Sequence, residues 1–361
     1  MSKKMLILNL GSTSTKVAVY EDKGLKWSEK IEHNREEINR NPGSKGQLAL
    51  RMKSLERLLA QRKEDFESFD VFVSRGGTIR PVKGGTWLVT DGMVEDANSK
   101  LYGEHPCNLG LEIVKSLAEK YDKTALTVDP PISNEMCIEA TYTGIPGVKR
   151  MARFHALNQR AIARKYAEDI GVKYEDLNLI VAHMGGGISV GAHEKGKITD
   201  VNNALEGDGP FAMERAGTVP TGDLINLCYS SKYNAEKVRK TVNGTAGVLA
   251  YLNTTDAIAI GKQIQAGDKK AEEVIRAMAY QVAKEIASLT AVLRGKVDAI
   301  ILTGGLAHWD YFVELVSERV SHLGKVCRYP GENEMESLAC GALRALSGEE
   351  PMQKYDDYYP R

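Results

Sequence analysis

The 361-residue chain is predicted to be an α/β protein made of two copies of one unit, each opening on a strand–turn–strand hairpin. Three observations carry this expectation. The stretch 6–20, LILNLGSTSTKVAVY, is apolar up to Asn9, breaks at Gly11-Ser12-Thr13-Ser14-Thr15-Lys16 and resumes at Val17-Ala18-Val19. The same layout returns at 179–192, where an apolar run meets the turn His183-Met184-Gly185-Gly186-Gly187 and continues from Ile188. Each copy then carries an acidic residue and a Lys-Gly pair, Asp22-Lys23-Gly24 and Glu194-Lys195-Gly196. Strands and helices alternate along the rest of the chain. Hairpins that precede the first helix argue against an all-parallel dinucleotide-binding sheet.

The elements follow in order. Residues 5–31 read as a three-stranded meander. Residues 46–63 place Leu48, Met52, Leu55, Leu58 and Leu59 at helical spacing, after the loop Asn41-Pro42-Gly43-Ser44 with Ser44 as a cap. Val71-Phe72-Val73 is a buried strand that runs into Ser74-Arg75-Gly76-Gly77. A helix is expected over 109–121 with Asn108 as its cap. A strand at 126–128 delivers Asp129-Pro130-Pro131, and a helix covers 156–170 up to Gly171. In the second half, 202–222 is loop. Helices are expected near 222–231, 234–241, 255–266 and 269–294, then a strand at 299–302 before Thr303-Gly304-Gly305. A helix at 311–322, a strand at 326–329 and a closing helix at 334–346 complete the chain.

Composition narrows the function. Formal net charge is zero, and no run of like charge is long enough for a nucleic-acid arm or a membrane patch. The expected partner is a small molecule. Five cysteines, at 107, 137, 228, 327 and 340, show neither CxxC nor zinc spacing and read as reduced thiols in a cytoplasmic protein. The apolar stretch after Met1-Ser2-Lys3-Lys4 is too short for a signal segment, and nothing reaches transmembrane length.

The candidate chemistry lies in the turns. The 11–16 turn gathers backbone N–H groups, four hydroxyls and an ammonium, a set that suits phosphate. It is not a Walker A loop, because no second Gly precedes Lys16 and a strand follows. The 183–187 turn is not a dinucleotide fingerprint, since Val190 stands where a Gly is needed. Asp129 sits at the C-terminal end of a strand, where ligands of open sheets bind, but turn aspartates are common. Arg75 and Arg215 lie in Gly-rich loops and suit bidentate binding of carboxylate or phosphate; a solvated Arg is the ordinary alternative. His155 and His183 fit no metal pattern. Gly304 and Gly305 permit close approach of a flat ring or phosphate, or make a plain strand-to-helix turn. Glu334 could complete a Mg²⁺ shell through water or cap the last helix.

Together NLGSTSTK, VDPPIS, RFHALNQ, AHMGGGISVGAH, DVNNALEGDGPFAMERAGTVPTGDL and LTGGLAH resemble the acetate/butyrate kinase (acetokinase) family, over about residues 5–346. The resemblance implies the duplicated actin-like fold of sugar kinases, Hsp70 and actin, two-lobed, with an ATP cleft between the lobes. Residues 1–155 with the terminal 345–361 would form one lobe. Residues 156–344 would form the other and carry the nucleotide loops. It implies ATP-dependent, reversible phosphorylation of a short-chain carboxylate, with ATP and Mg²⁺ as cofactors and a homo-oligomer as the assembly. By this resemblance Asn9, Ser12, Ser14 and Lys16 match the first phosphate motif. His183, Gly185 and Gly187 match the second, and Gly304 and Gly305 the adenosine loop. Asp129, His155, Arg215 and Arg75 take catalytic positions, and Asn9, Glu334 and Asp129 the metal positions. Gly186 replaces the Asn of acetate kinases, Phe72 stands where they carry Arg, and Arg75 falls on a neighbouring His position. With the 218–221 insertion, these departures favour the butyrate branch, with butanoate as acceptor. Acetate, propionate or branched acids remain alternatives, as do a sugar kinase with Asp129 as base and a non-catalytic ATP-binding protein of the same fold.

Overall fold

The computed structural model describes residues 2–359 apart from Pro42 and Glu104. Pro42, in the predicted 41–44 loop, lies outside the described residues, as does the side chain of the predicted cap Ser44. The chain forms two compact units, Met1–Ser133 with Asn333–Arg361, and Asn134–Glu332.

The first unit is a seven-stranded sheet in the order β12-β5-β6-β4-β1-β2-β3. Its strands are β1 (Lys4–Leu10), β2 (Ser14–Glu21), β3 (Gly24–Glu32), β4 (Val71–Ser74), β5 (Thr86–Leu88), β6 (Thr124–Val128) and β12 (Gln353–Lys354). The second unit has the order β11-β10-β7-β8-β9. Its strands are β7 (Asn178–Met184), β8 (Ile188–Glu194), β9 (Lys197–Val201), β10 (Ala299–Gly304) and β11 (Val326–Pro330).

The repeat is structural. In each unit an antiparallel three-stranded meander is continued on its first strand's side by two parallel strands: β4 on β1 and β6 on β4, β10 on β7 and β11 on β10. The second and third strands slip register two residues before the second strand ends, at Val19/Tyr20 and at Ala192/His193. The pairing Glu21↔Gly24 matches Glu194↔Lys197, so the two Lys-Gly pairs stand one residue out of step.

Strand alternation decides what each face holds. On β7, Ile180, Ala182 and Met184 join a large core under the helix Lys269–Val292. Leu179 and Val181 face the opposite way, into a core with Ala163, Tyr166 and Ala167 of the helix Ala156–Asp169. His183 shares that second face. In the first unit Leu6, Leu8 and Leu10 enter the core with Leu55, Leu58 and Leu59 of the helix Gly43–Gln61. The helix Glu334–Leu346 packs on β1 and β6.

Several expectations change. The units divide at 133/134 and 332/333, where the sequence placed 155/156 and 344/345. The helix Glu334–Leu346 is tied to the first unit, since Thr86 Oγ1 donates to the Gly341 carbonyl at 3.0 Å. Residues 134–155 are tied to the second: Cys137 N–H donates to the Thr199 carbonyl, and Ala152 and Phe154 pack with Ile198 and Val201. Asn108 is not a cap. The helix Asn108–Tyr121 begins on it with Cys107 at the N-cap, and its side chain accepts from Thr78 N–H and donates to the Ala97 carbonyl. β5, β12 and the helices Arg35–Arg40, Asp91–Ser99 and Gly247–Leu252 were not expected. All five cysteines are free thiols. Among the described residues no helix is long and apolar enough to cross a membrane.

Candidate active site

In the first unit the end of β1 and the turn after it meet the start of the helix Glu334–Leu346. Asn9, buried at the penultimate position of β1, donates from Nδ2 to Glu334 Oε2 at 2.6 Å. Lys16 Nζ lies 3.7 Å from the same oxygen, and Arg75 Nη1 lies 3.2 Å from Oε1. The Glu334 carboxylate thus joins three predicted groups, Asn9, Lys16 and Arg75. Asp129 has another partner: its Oδ1 accepts from Gly85 N–H at 2.7 Å, and its own N–H donates to the Gly85 carbonyl. Asp129 is buried at φ 42°, a left-handed conformation that Asp adopts more readily than most residues but at a cost. Arg75 Nε and the hydroxyls of Ser74 and Thr127 are buried without a hydrogen-bond partner. Ser74 and Thr127 are register partners at the ends of β4 and β6.

The 11–16 turn is shaped by a residue the motif reading missed. Arg51, 1% exposed, donates from Nη1 to the Ser14 carbonyl (3.0 Å) and Thr15 Oγ1 (2.9 Å), and from Nη2 to the carbonyls of Gly11 (2.8 Å) and Ser12 (3.2 Å). With the turn's carbonyls held on Arg51, its remaining backbone donors are left for an anion. Burial lowers the Arg51 pKa from the usual guanidinium value. The signal was an Arg three residues after Leu48 and four before Leu55, on the apolar stripe of its helix. Arg51→Met is expected to remove the donor that the part-buried carbonyls of Gly11 and Ser12 share and to cost about 1.5–3 kcal/mol. Urea unfolding checks this, and an unchanged midpoint would refute it.

In the second unit His183 and His155 stack with ring centroids 3.8 Å apart and planes 12° from parallel. His183 stands at the penultimate position of β7, as Asn9 does on β1. Its Nδ1 contacts Asn158 Oδ1 at 2.8 Å and its Nε2 contacts Glu332 Oε1 at 3.0 Å. Asn158 lies in the first turn of the helix Ala156–Asp169, so each unit ties its first strand to the start of a helix through one polar pair. Asn158 Nδ2 donates to the Gly331 carbonyl and Thr303 Oγ1 donates to Asn158 Oδ1, which orients the amide.

Arg215 lies across Gly187. A Cβ at position 187 would overlap its guanidinium, so a side chain there would have to displace Arg215. Nη1 donates to the Ala204 carbonyl at 2.8 Å. Burial lowers the Arg215 pKa and neighbouring Glu214 opposes the shift. The loop is pinned on both sides: Glu214 N–H donates to the Gly186 carbonyl, and Val248 N–H to the Ala212 carbonyl. Gly304, at φ 87°, passes so close to the Met184 backbone that a side chain would collide with it, whereas Gly305 faces open space. The geometry therefore gathers His155, His183, Gly185, Gly187 and Arg215 in this unit, and Asn9, Lys16, Arg75 and Glu334 in the other. Besides Arg51, sequence reasoning passed over Asn158, Gln159, Ser189, Glu214 and Glu332. The helical spacing of Asn158 and Gln159 from His155 was the available clue.

The repeated meander with its parallel strands in two units defines an actin-like fold. Acetate kinase from Porphyromonas gingivalis superposes with a TM-score of 0.79 at 20% identity, over 95% of this chain and 100% of that one. Residues 112–332 match the Acetokinase family. A "Probable butyrate kinase" of Clostridium botulinum strain Eklund 17B is 45% identical over 355 residues, 98% of this chain and 100% of that protein. "Butyrate kinase 2" of Clostridium acetobutylicum is 44% identical over the same shares. The chain belongs to the acetokinase family.

Proposed function

We propose that the chain transfers the γ-phosphoryl group of ATP to the carboxylate of a short-chain acid, with butanoate as the preferred acceptor, giving butanoyl phosphate and ADP reversibly. The observation that carries this reading is the 44–45% identity, over 98% of the chain, to the two clostridial butyrate kinases. The chemistry of the two groups supports it. A carboxylate is already ionised near neutral pH, so the acceptor needs no general base. Asp129 accepts a backbone N–H, a role that suits charge placement better than proton abstraction.

The obstacle is repulsion between an anion and a polyanion. In this reading Asn9, Ser12, Ser14 and Lys16 meet phosphate oxygens, with His183, Gly185 and Gly187 as the second phosphate loop and Gly304 and Gly305 beside the adenosine. Arg75 and Arg215 pair with the carboxylate or the moving phosphoryl group, and His155 steadies that group. Three unpartnered buried polar atoms, Arg75 Nε, Ser74 Oγ and Thr127 Oγ1, mark the ends of β4 and β6 as a place fitted for a polar ligand.

The oxygens of Glu334, Asp129 and Asn9 are hard donors that suit Mg²⁺, an ion that keeps waters and phosphate oxygens in its shell. Among the described residues no three His, Cys, Asp or Glu side chains gather as a metal cluster. When bound, Mg²⁺ would neutralise phosphate charge. A cytoplasmic location and self-association belong to the same reading.

The test is acyl-phosphate trapping with hydroxylamine across C2–C6 acids. Two extra methylenes in an apolar pocket contribute about 1.6 kcal/mol, so butanoate should exceed acetate by ~10-fold or more in kcat/KM. A preference for acetate would move the substrate within the family. Absence of hydroxamate with every acid would overturn the reading.

A further inference from the structure

β8 is buried on both faces, yet its residues alternate Ile188, Ser189, Val190, Gly191, Ala192, His193. Ile188, Val190 and Ala192 face the apolar core. Ser189, Gly191 and His193 therefore form a stripe on the other face, under the helix Ala156–Asp169. Gln159 of that helix, wholly buried, occupies the space that a side chain at 191 would need. Its Nε2 donates to the Ser189 carbonyl at 3.0 Å and to Ser189 Oγ at 2.9 Å, and its Oε1 lies 3.1 Å from His193 Nε2. His193 Nδ1 lies 2.8 Å from the Tyr174 hydroxyl. Ser189 Oγ lies 2.9 Å from His155 Nδ1, and the His155 backbone N–H reaches it at 3.5 Å.

Donor and acceptor rules fix every proton in this chain. A backbone carbonyl only accepts, so the Gln159 amide must turn its NH₂ to Ser189 and its oxygen to His193. His193 Nε2 must then donate. Burial, with Arg160 and Arg164, holds His193 well below its usual pKa, so it is neutral and its Nδ1 accepts from Tyr174. Ser189 Oγ receives the Gln159 N–H and the longer His155 N–H. Its own proton has one acceptor among these partners, His155 Nδ1.

The geometry points to Ser189, oriented by Gln159, His193 and Tyr174, as the positioning residue that locks His155 in the tautomer with its proton on Nε2. Nε2 is then a fixed donor, not an acceptor that would repel a phosphoryl oxygen. This rests on the reading of His155 as the group that steadies the transferring phosphoryl.

The experiment uses the full chain with ¹⁵N-labelled histidine. There are seven histidines, and His155→Gln identifies the resonances of His155. At a pH where the ring is neutral, wild type should show an unprotonated Nδ1 and a protonated Nε2. Ser189→Ala keeps the Gln159 bond to the backbone carbonyl, so the fold should persist while the His155 signals become those of mixed tautomers. Its kcat with butanoate should fall ~10-fold, with the KM for ATP nearly unchanged. Gln159→Leu, which frees the Ser189 hydroxyl to turn, should give partial mixing. A protonated Nδ1 in wild type, or an unmixed tautomer in Ser189→Ala, would overturn the lock. A locked tautomer in a protein that phosphorylates no carboxylate would uphold the lock and overturn only the reading of the site.

Discussion

Arg215→Ala is expected to lower kcat/KM by ~10–100-fold or more for both acid and ATP, with the fold intact, because a charge-assisted bond in a water-poor site contributes about 1.5–3 kcal/mol. In the proposed reading the side chain serves the site more than the scaffold. Its guanidinium donates to the Ala204 carbonyl, while the loop around it is held by backbone bonds through Glu214 and Ala212. Arg215→Lys should rescue poorly, since an ammonium lacks the planar fork. Gly187→Ala is the independent check: its methyl group would occupy the guanidinium's place and should reproduce much of the loss without touching Arg215. Steady-state kinetics with both substrates, beside thermal unfolding, measure these effects. Near-wild-type kcat/KM in Arg215→Ala would sink the assignment. Arg75→Ala is a less clean companion, because it also releases a Glu334 oxygen.

Asp129→Asn is expected to cut kcat by ~10–100-fold and to raise the Mg²⁺ concentration needed for half-maximal rate. The substitution tests charge alone. Asn tolerates the left-handed φ of 42°, and its Oδ1 can still accept the Gly85 N–H. A hydroxyl acceptor would need Asp129 as a base, and its loss would then appear as a changed pH profile of kcat/KM. A Mg²⁺ titration of variant and wild type at saturating butanoate and ATP separates the two roles. An unchanged Mg²⁺ requirement with only a pH change would favour the base.

Local pattern carried much of the fold. The two hairpin turns, the meanders and the long helices are legible because apolar spacing fixes strand or helix over many residues. The bounds of the helix Glu334–Leu346 are read correctly for that reason. β5, with three residues, and β12, with two, are too short to show a period. The helix Asp91–Ser99 begins at an Asp-Gly pair that reads as a turn and has few apolar residues. Asn108 looked like a cap, but tertiary partners at Thr78 and Ala97 claimed its side chain.

By itself the sequence determined the duplication, the residues that make up the two turns and the roll of candidate groups, since each depends on residues adjacent along the chain. Only the tertiary structure decided that Glu334 joins Asn9, Lys16 and Arg75, because a helix that begins 325 positions after Asn9 can pack on either sheet until the cores are formed. It likewise decided that a buried Arg51 shapes the 11–16 turn, and that Ser189, Gln159 and His193 stand behind His155. Such hydrogen bonds join residues 19 to 40 positions apart, and the choice of partner follows from which strand and helix faces meet. Local periodicity shows that a face is buried, and only the packed units show what it is buried against.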